Sequence, residues 1–199
     1  MKKLLIALTI LFGVTCGNVS EAAPFTDSQF DRIFTDITKN PAAAPENSAT
    51  LDINVETLKE RFNGFIAPNL KSILGTDDIS AMEKLFLIYD YKIFPKPDGD
   101  TFVNIFGSNV AIVGLATPNG GNFKVLSCAY TAPEDKNETL FVQLILTAFV
   151  GSVAPDVPVA ELMNELTAEN SSGTVTKGKV KFSITEDGNL DTLTATPVQ

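Results

Sequence analysis

The fold is decided by residues 101–130, TFVNIFGSNVAIVGLATPNGGNFKVLSCAY. Runs of β-branched and aromatic residues are separated there by Gly, Asn and Pro, which is typical of strands joined by short turns. Asn119-Gly120 is a strong hairpin signal, because both central residues of a type I′ turn need a positive φ angle. This stretch therefore predicts antiparallel strands that follow one another in a meander.

The strands continue on the N-terminal side of this stretch. Residues 85–94, LFLIYDYKIF, are apolar enough to form another strand. Residues 95–100, PKPDGD, contain the Pro, Asp and Gly that are typical of a turn. The sequence thus predicts a meander of about four strands.

The C-terminal end predicts a further hairpin. Val180, Phe182 and Ile184 alternate with polar residues, so we expect one face of this strand to be buried and the other solvated. Asp187-Gly188 then turns the chain toward residues 190–196, LDTLTAT.

Two amphipathic helices are predicted before the sheet. The first begins at residues 26–29, TDSQ, where the Thr and Gln side chains can bond each other's backbone N–H groups in a capping box. Its apolar face contains Phe30, Ile33, Phe34 and Ile37. The second helix begins at about Asn54 and is expected to be interrupted at Pro68. Its apolar face contains Val55, Leu58, Phe62, Phe65 and Ile66. Residues 40–50, NPAAAPENSAT, predict a mobile connection between the two helices.

Thr139–Pro155 carries no charged residue and could be read as a membrane span. Small and polar residues dilute the run, which falls short of the roughly 20 consecutive apolar residues that cross a bilayer. These residues are Gln143, Thr147, Gly151 and Ser152. A helix on the buried face of a sheet needs the same composition, and we expect that helix and no transmembrane span. After Pro158, a short helix is predicted at about Val159–Leu166.

This order of helices and strands predicts an α+β fold. We expect an antiparallel sheet, made of the central meander and the C-terminal hairpin, with the helices packed on one face. Residues 23–199 are enough for a single domain with its own hydrophobic core.

The N-terminus has the parts of a secretory signal. Lys2-Lys3 is a positively charged start, and Leu4–Val14 is apolar but too short to span a bilayer. Ser20-Glu21-Ala22 offers small residues at the positions that a signal peptidase must accommodate. We therefore expect residues 1–22 to be a signal peptide, cleaved after Ala22, and the mature protein to be secreted or periplasmic.

Lipid anchoring at Cys16 is the alternative to release. A lipoprotein signal usually has a Leu-like residue three positions before the cysteine and Gly or Ala directly before it. Gly13 and Thr15 occupy those positions here, so we expect cleavage after Ala22 instead.

Loss of Cys16 would leave Cys128 without an intramolecular disulfide partner. Cys128 could be a reactive thiolate if a cation such as Lys124 lowered its pKa. Beside Leu126 and Tyr130 on one strand face, it is expected to be a small hydrophobic residue instead.

The charge balance argues against nucleic acid as a partner. The 199-residue chain has 15 Lys and Arg against 24 Asp and Glu, a net charge of −9. Loss of Lys2-Lys3 and Glu21 with the signal peptide would leave 13 against 23, a net charge of −10. Nucleic acids and anionic lipid surfaces both require a cationic surface, which this composition does not favour.

The sequence offers no catalytic motif. It contains no histidine, which removes the commonest general base and metal ligand and every Ser-His or Cys-His pair. No GxSxG, P-loop or SxxK motif occurs. We therefore expect no enzyme activity, no metal and no cofactor, and we assign no catalytic residue.

Two pairs of aspartates have both a chemical and a structural interpretation. Asp98 and Asp100 are close enough to share a calcium ion, but the other ligands of a calcium loop are missing, so a turn is expected. Asp77 and Asp78 precede a helix predicted at residues 79–83 and are better explained as caps than as a catalytic pair.

The order of elements resembles that of small secreted or lipid-anchored bacterial proteins of unknown function. It is carried by RFNGFI (residues 61–66) on an early helix and VTKGKVKFSI (residues 175–184) in a terminal hairpin. The resemblance extends over most of residues 26–195 and implies no catalytic residue. Members of this group often carry a proper lipidation signal, and this sequence departs from them there.

Three functions remain open. The first is an exported, non-catalytic binding or accessory protein of the bacterial envelope, acting on an envelope component or an apolar small molecule. The 13 phenylalanines that follow Phe12 would suit a Phe-lined pocket for such a ligand, although a plain core would need them too. The second is a structural or protein-interaction module of the envelope. The third is an enzyme that acts on glycans with paired carboxylates. We expect the first.

Overall fold

The computed structural model describes six segments of the chain. They are residues 25–39, 49–74, 78–107, 109–133, 135–169 and 171–198. The predicted signal peptide with Cys16, residues 40–48 of the predicted connection and Asp77 lie outside the described residues.

Seven antiparallel strands of the described chain form one sheet. They are β1 (Lys92–Phe94), β2 (Asp100–Phe106), β3 (Val110–Ala116), β4 (Phe123–Thr131), β5 (Thr174–Lys177), β6 (Val180–Asp187) and β7 (Leu190–Pro197). Their order across the sheet is β1-β2-β3-β4-β7-β6-β5, so the meander and the C-terminal strands join where β7 pairs with β4. The predicted α+β class and antiparallel sheet are confirmed.

Helices connect and cover the strands. They are α1 (Asp27–Lys39), α2 (Val55–Leu74), α3 (Glu83–Phe86), α4 (Lys136–Val153) and α5 (Val159–Leu166), with a 3₁₀ turn at Ser80–Met82 before α3. The predicted capping box at the start of α1 is confirmed. The Thr26 N–H donates to Gln29 Oε1 at 2.8 Å, and the Gln29 N–H donates to Thr26 Oγ1 at 3.3 Å.

The strand turns follow the chemistry of their residues. Asn119 and Gly120 have φ angles of 63° and 71°, which confirms the predicted hairpin turn between β3 and β4. In the β6–β7 hairpin, Asp187 is the last residue of β6 and pairs with Leu190, the first residue of β7, so residues 188–189 form the turn. This turn therefore lies one residue later than the predicted Asp187-Gly188.

The sheet carries helices on both faces, which we call the helix face and the α1 face. On the helix face, α2, α4 and α5 form one core with strand residues such as Phe102 and Leu126. On the α1 face, Ile33 of α1 belongs to a second, smaller core with Val113 and Val125. The prediction of helices on one face is thus correct for α2, α4 and α5 but not for α1. The reason is that every residue of β3 and β4 is buried, so both faces of these strands need a cover.

Pro68 lies inside α2 and does not interrupt it, contrary to the prediction. A proline in a helix removes one N–H donor and crowds the carbonyl of residue i−4, which here belongs to Gly64. Both Pro68 and Gly64 are exposed, so water can reach this turn. The Asn69 side-chain amide also donates to the Phe65 carbonyl at 2.5 Å, which stabilises the turn that Pro68 disturbs.

Residues 85–94 do not form the single strand that was predicted. The stretch begins in α3, continues through the buried, irregular Leu87 and Ile88, and forms β1 only at its end. The side chain of Asn63 in α2 makes the hydrogen bonds to Ile88 that a neighbouring strand would otherwise make. Its side chain accepts from the Ile88 N–H at 2.8 Å and donates to the Ile88 carbonyl at 3.1 Å. Because Asn63 satisfies both backbone groups, Ile88 can be buried without strand pairing.

Residues 139–153 of the uncharged stretch belong to α4, which confirms the predicted helix. Asp135 caps this helix by accepting from the N–H groups of Asn137 and Glu138 at 2.7 and 2.9 Å. The helix packs against α2 and β4. In the described part of the chain, no helix is both long and apolar enough to cross a membrane.

Candidate functional site

Six phenylalanines fill the core of the helix face and are fully buried. They are Phe62, Phe102, Phe106, Phe123, Phe149 and Phe182. Phe62 and Phe106 stack with ring centroids 5.1 Å apart, and Phe102 and Phe123 meet edge to face at 5.8 Å. Such contacts are typical of a packed core. These six residues therefore support the plain-core interpretation rather than a Phe-lined pocket.

An open groove of about 380 Å³ lies on the α1 face, at the edge of the sheet formed by β1 and β2. We call it the edge groove. Its lining residues are Phe30, Lys84, Asp90, Lys92, Phe94, Val103 and Ile105. The volume falls within the range of about 300–1,000 Å³ that is common for small-molecule sites.

The position of α1 explains why the edge groove is open. α1 contacts β3 and β4, and so covers the centre of the sheet on its own face. β2 and β1 are the next strands of the sheet toward this edge. Ile105 of β2 is 42% exposed and Phe94 of β1 is 45% exposed, whereas Val103 between them is buried. Half-buried Phe30 of α1 forms the opposite wall. The result is an apolar floor that no element of the described chain covers fully.

The charged residues of the edge groove come from the chain that leads from α3 into β1. Lys84 Nζ lies 3.2 Å from Asp90 Oδ2, so these two exposed charges compensate each other. Lys92 stands opposite Val103 in the β1–β2 register and makes no ion pair with a described residue. Within the described segments, the groove therefore has one positive charge without an ion-pair partner, on a chain whose net charge is −9.

A pair of carboxylates on the helix face is the second candidate site. Glu186 of β6 and Asp191 of β7 are direct cross-strand partners, and Tyr130 of β4 pairs with Asp191 on its other side. Partial burial, and then the negative charge of Glu186, raise the pKa of Asp191 above its usual range. Burial is also the main cause that raises the pKa of Tyr130.

This pair was not predicted from the sequence, because a turn at Asp187-Gly188 would place Ile184 rather than Glu186 opposite Asp191. A two-residue turn at residues 188–189 necessarily places Glu186 opposite Asp191. A cleft of about 340 Å³ beside α5 is lined by Glu186 but not by Asp191. Of the two acids, only Glu186 lines this cleft, whereas the acid and the base of a glycan-cleaving enzyme flank the same opening.

Cys128 is completely buried in the core of the helix face. Burial raises the pKa of its thiol strongly, which disfavours the thiolate. Lys124, the cation that could have activated it, donates from Nζ to the Asp98 carbonyl at 3.3 Å instead. The structure supports the interpretation of Cys128 as a small hydrophobic residue.

The aspartates that were considered as chemical candidates have structural contacts. Asp100 is buried, and its Oδ2 accepts from the Gly120 N–H at 3.0 Å, which ties the start of β2 to the β3–β4 turn. Asp78 accepts from both the N–H and the hydroxyl of Ser80, at 3.1 and 2.7 Å, but the N-cap residue of the 3₁₀ turn is Ile79, so Asp78 is not the predicted cap. These bonds lower the pKa of Asp78. Across the segments that the structure describes, no group of three or more acidic or cysteine side chains is placed to hold a metal ion.

Comparison with protein-family models, with curated proteins and with solved structures finds no match to this chain. The edge groove and the pair Glu186–Asp191 are therefore the features from which a function can be argued. Of the two, the groove has the size and the apolar lining of a binding site.

Proposed function

We propose that this protein is an exported, non-catalytic binding protein of the bacterial envelope, and that the edge groove is its binding surface. The observation that carries the proposal is the exposure of Ile105 and Phe94 beside Phe30 in an opening of about 380 Å³. A concave apolar surface that the described residues leave partly exposed is the usual form of a small-molecule site. The ligand on this proposal is apolar over most of its surface.

The edges of the sheet support a ligand that lies on the α1 face rather than one that adds a strand. β1 has three residues and is followed by Pro95 and Pro97. Short edge strands with lysine and proline are a common means of preventing edge-to-edge pairing. β5, at the other edge, has four residues and ends at Lys177. Neither edge offers a long row of unpaired backbone groups to a partner strand.

A protein-interaction module is the second candidate, because apolar exposure continues around the same edge. Tyr89 is 52% exposed and Ile93 is 40% exposed. Ile93 pairs with Phe102, so it lies on the helix face, away from the edge groove. A partner protein that wrapped around the edge would contact Ile93 and Ile105 together, whereas a small ligand in the groove would contact only Ile105.

Binding of a neutral apolar dye, Nile red, tests the proposal. We expect the wild-type protein to bind the dye and Ile105→Ser to weaken binding. Val198→Ser is the matched control, because Val198 is 44% exposed but does not line the groove. Native mass spectrometry of protein purified from its own host should in addition show a retained apolar molecule. If Ile105→Ser and Val198→Ser bind Nile red as the wild type does, the groove is not the binding surface.

Ile93→Ser separates the two candidate functions. For a small ligand in the groove, this variant should bind as the wild type does. If instead Ile93→Ser abolishes capture of a host protein as completely as Ile105→Ser, the interaction module is the correct function and the small-molecule proposal is wrong.

A further inference from the structure

The charges of the edge groove indicate which kind of apolar ligand it takes. Among the described residues that line it, the charge without an ion-pair partner is the ammonium group of Lys92, since Lys84 and Asp90 are 3.2 Å apart and paired. The protein as a whole is acidic, with a net charge of −9. The locally positive charge of the groove attracts an anion and disfavours a cation at close range, although the chain as a whole is acidic.

The dimensions of the edge groove suit one extended chain. Its lining residues on the sheet run from Phe94, which pairs with Thr101, to Ile105, a distance of four residues along β2. At about 3.3 Å per residue this is a floor of roughly 13 Å. Lys92 stands beside the middle of this floor, opposite Val103. A flexible lysine stem can lie along the apolar surface while its ammonium group reaches an anion at the rim.

We propose that the edge groove binds a free, single-chain amphiphile with an anionic head group, such as a fatty acid. Its chain lies over Val103 and Ile105 toward Phe94, and its carboxylate pairs with Lys92. This assignment rests on the proposed function, because it names the ligand class of the same groove.

A free amphiphile fits the structure better than an anionic bilayer does. The groove has room for a single chain, with a volume of about 380 Å³. One uncompensated lysine is a small attraction to a charged membrane, and the acidic remainder of the protein is repelled by it. The ligand is therefore taken up as a monomer from solution.

Displacement of Nile red by three twelve-carbon amphiphiles, each below its micelle concentration, tests the assignment. The probes are dodecanoate, dodecyltrimethylammonium and the neutral dodecyl maltoside. We expect dodecanoate to bind most tightly and the cation most weakly. Lys92→Gln should weaken dodecanoate about two- to fivefold, as expected for one solvent-exposed ion pair, and leave dodecyl maltoside unchanged. Lys96→Gln is the matched control, because Lys96 is exposed, follows β1 closely and does not line the groove.

The charge-reversal variant Lys92→Glu should invert the preference, so that the cation binds more tightly than dodecanoate. The ligand class would be wrong if the anion and the cation bound with equal affinity, or if Lys92→Gln and Lys96→Gln had equal effects. If the wild type still bound Nile red in that case, the groove would remain a binding site. Binding to anionic phosphatidylglycerol vesicles without any binding of monomeric dodecanoate would show that a membrane is the partner instead. Failure of Nile red itself to bind the wild type would remove the proposed function, and the ligand class with it.

Discussion

Replacement of Asn63 by alanine should destabilise the protein more than any loss of a single surface hydrogen bond. Asn63 bonds both the N–H and the carbonyl of Ile88, at 2.8 and 3.1 Å. Ile88 is fully buried, so the variant leaves a backbone donor and a backbone acceptor inside the protein without their partner. A buried polar group left unsatisfied costs about 1–3 kcal/mol. Half-buried Asn63 lies close enough to the surface for water to replace part of the loss. We therefore expect the free energy of unfolding to fall by about 2–4 kcal/mol.

Urea denaturation followed by circular dichroism measures this effect, and Asn69→Ala is its matched control. Asn69 lies on the same helix, and its side-chain amide donates only within that helix, to the Phe65 carbonyl. Both substitutions gain the same helix propensity, so the difference between them isolates the bonds to Ile88. We expect Asn69→Ala to cost about 0–1 kcal/mol. A loss for Asn63→Ala no larger than that for Asn69→Ala would refute the argument that this side chain holds residues 87–88 in place.

Four further predictions concern a buried and an exposed glycine, the buried thiol and the acidic pair. Gly114→Ala should lower the free energy of unfolding by about 1–3 kcal/mol, because its Cβ would lie 2.7 Å from two fully buried side chains. Gly64 is in an exposed helix position, and a Cβ added there would have no atom within 4 Å. Gly64→Ala should therefore raise the free energy of unfolding by about 0.5–1 kcal/mol. Urea denaturation measures both variants, and changes of the same sign would contradict this reasoning. Cys128 should resist alkylation by iodoacetamide in the native protein and react after denaturation in urea, and rapid labelling of the native protein would show that the thiol is accessible. Because the pKa of Asp191 is raised above its ordinary value of 3.8 on folding, its contribution to stability is full below that value and is lost as the pH rises through the higher, folded-state pKa. The midpoint temperature of thermal unfolding should therefore fall less for Asp191→Asn than for the wild type as the pH rises above about 4. An equal fall in both proteins would show that neither burial nor Glu186 raises this pKa.

The sequence predicted those elements in which local chemistry decides the conformation. Asn119 and Gly120 accept the positive φ angles of a hairpin turn regardless of what surrounds them. Thr26 and Gln29 form their capping box within one helical turn. In both cases the groups that interact are three or fewer residues apart, so the local sequence includes every residue that determines the conformation.

The predictions failed where a distant residue made the decision. Residues 85–94 are apolar enough for a strand, yet the contact of Ile88 with Asn63, 25 positions away in the chain, keeps Leu87 and Ile88 out of the sheet. Pro68 interrupts many helices, but in α2 the open surface and the Asn69 amide accommodate it. The apolar character of these residues is correct, but it does not indicate which distant side chain is close enough to bond their backbone groups.

By itself, the sequence determined the α+β class, the antiparallel meander and the absence of histidine chemistry, because periodicity, turn residues and composition are properties of the chain alone. Only the tertiary structure decided on which face of the sheet α1 packs and, as a consequence, that Ile105 and Lys92 line an open groove. The physical reason is that a buried strand is apolar on both sides, so its pattern demands a cover on each face without specifying how far that cover extends. Among the described residues, Ile105 near the β1 edge stays exposed on that face, and there the groove is open to a ligand.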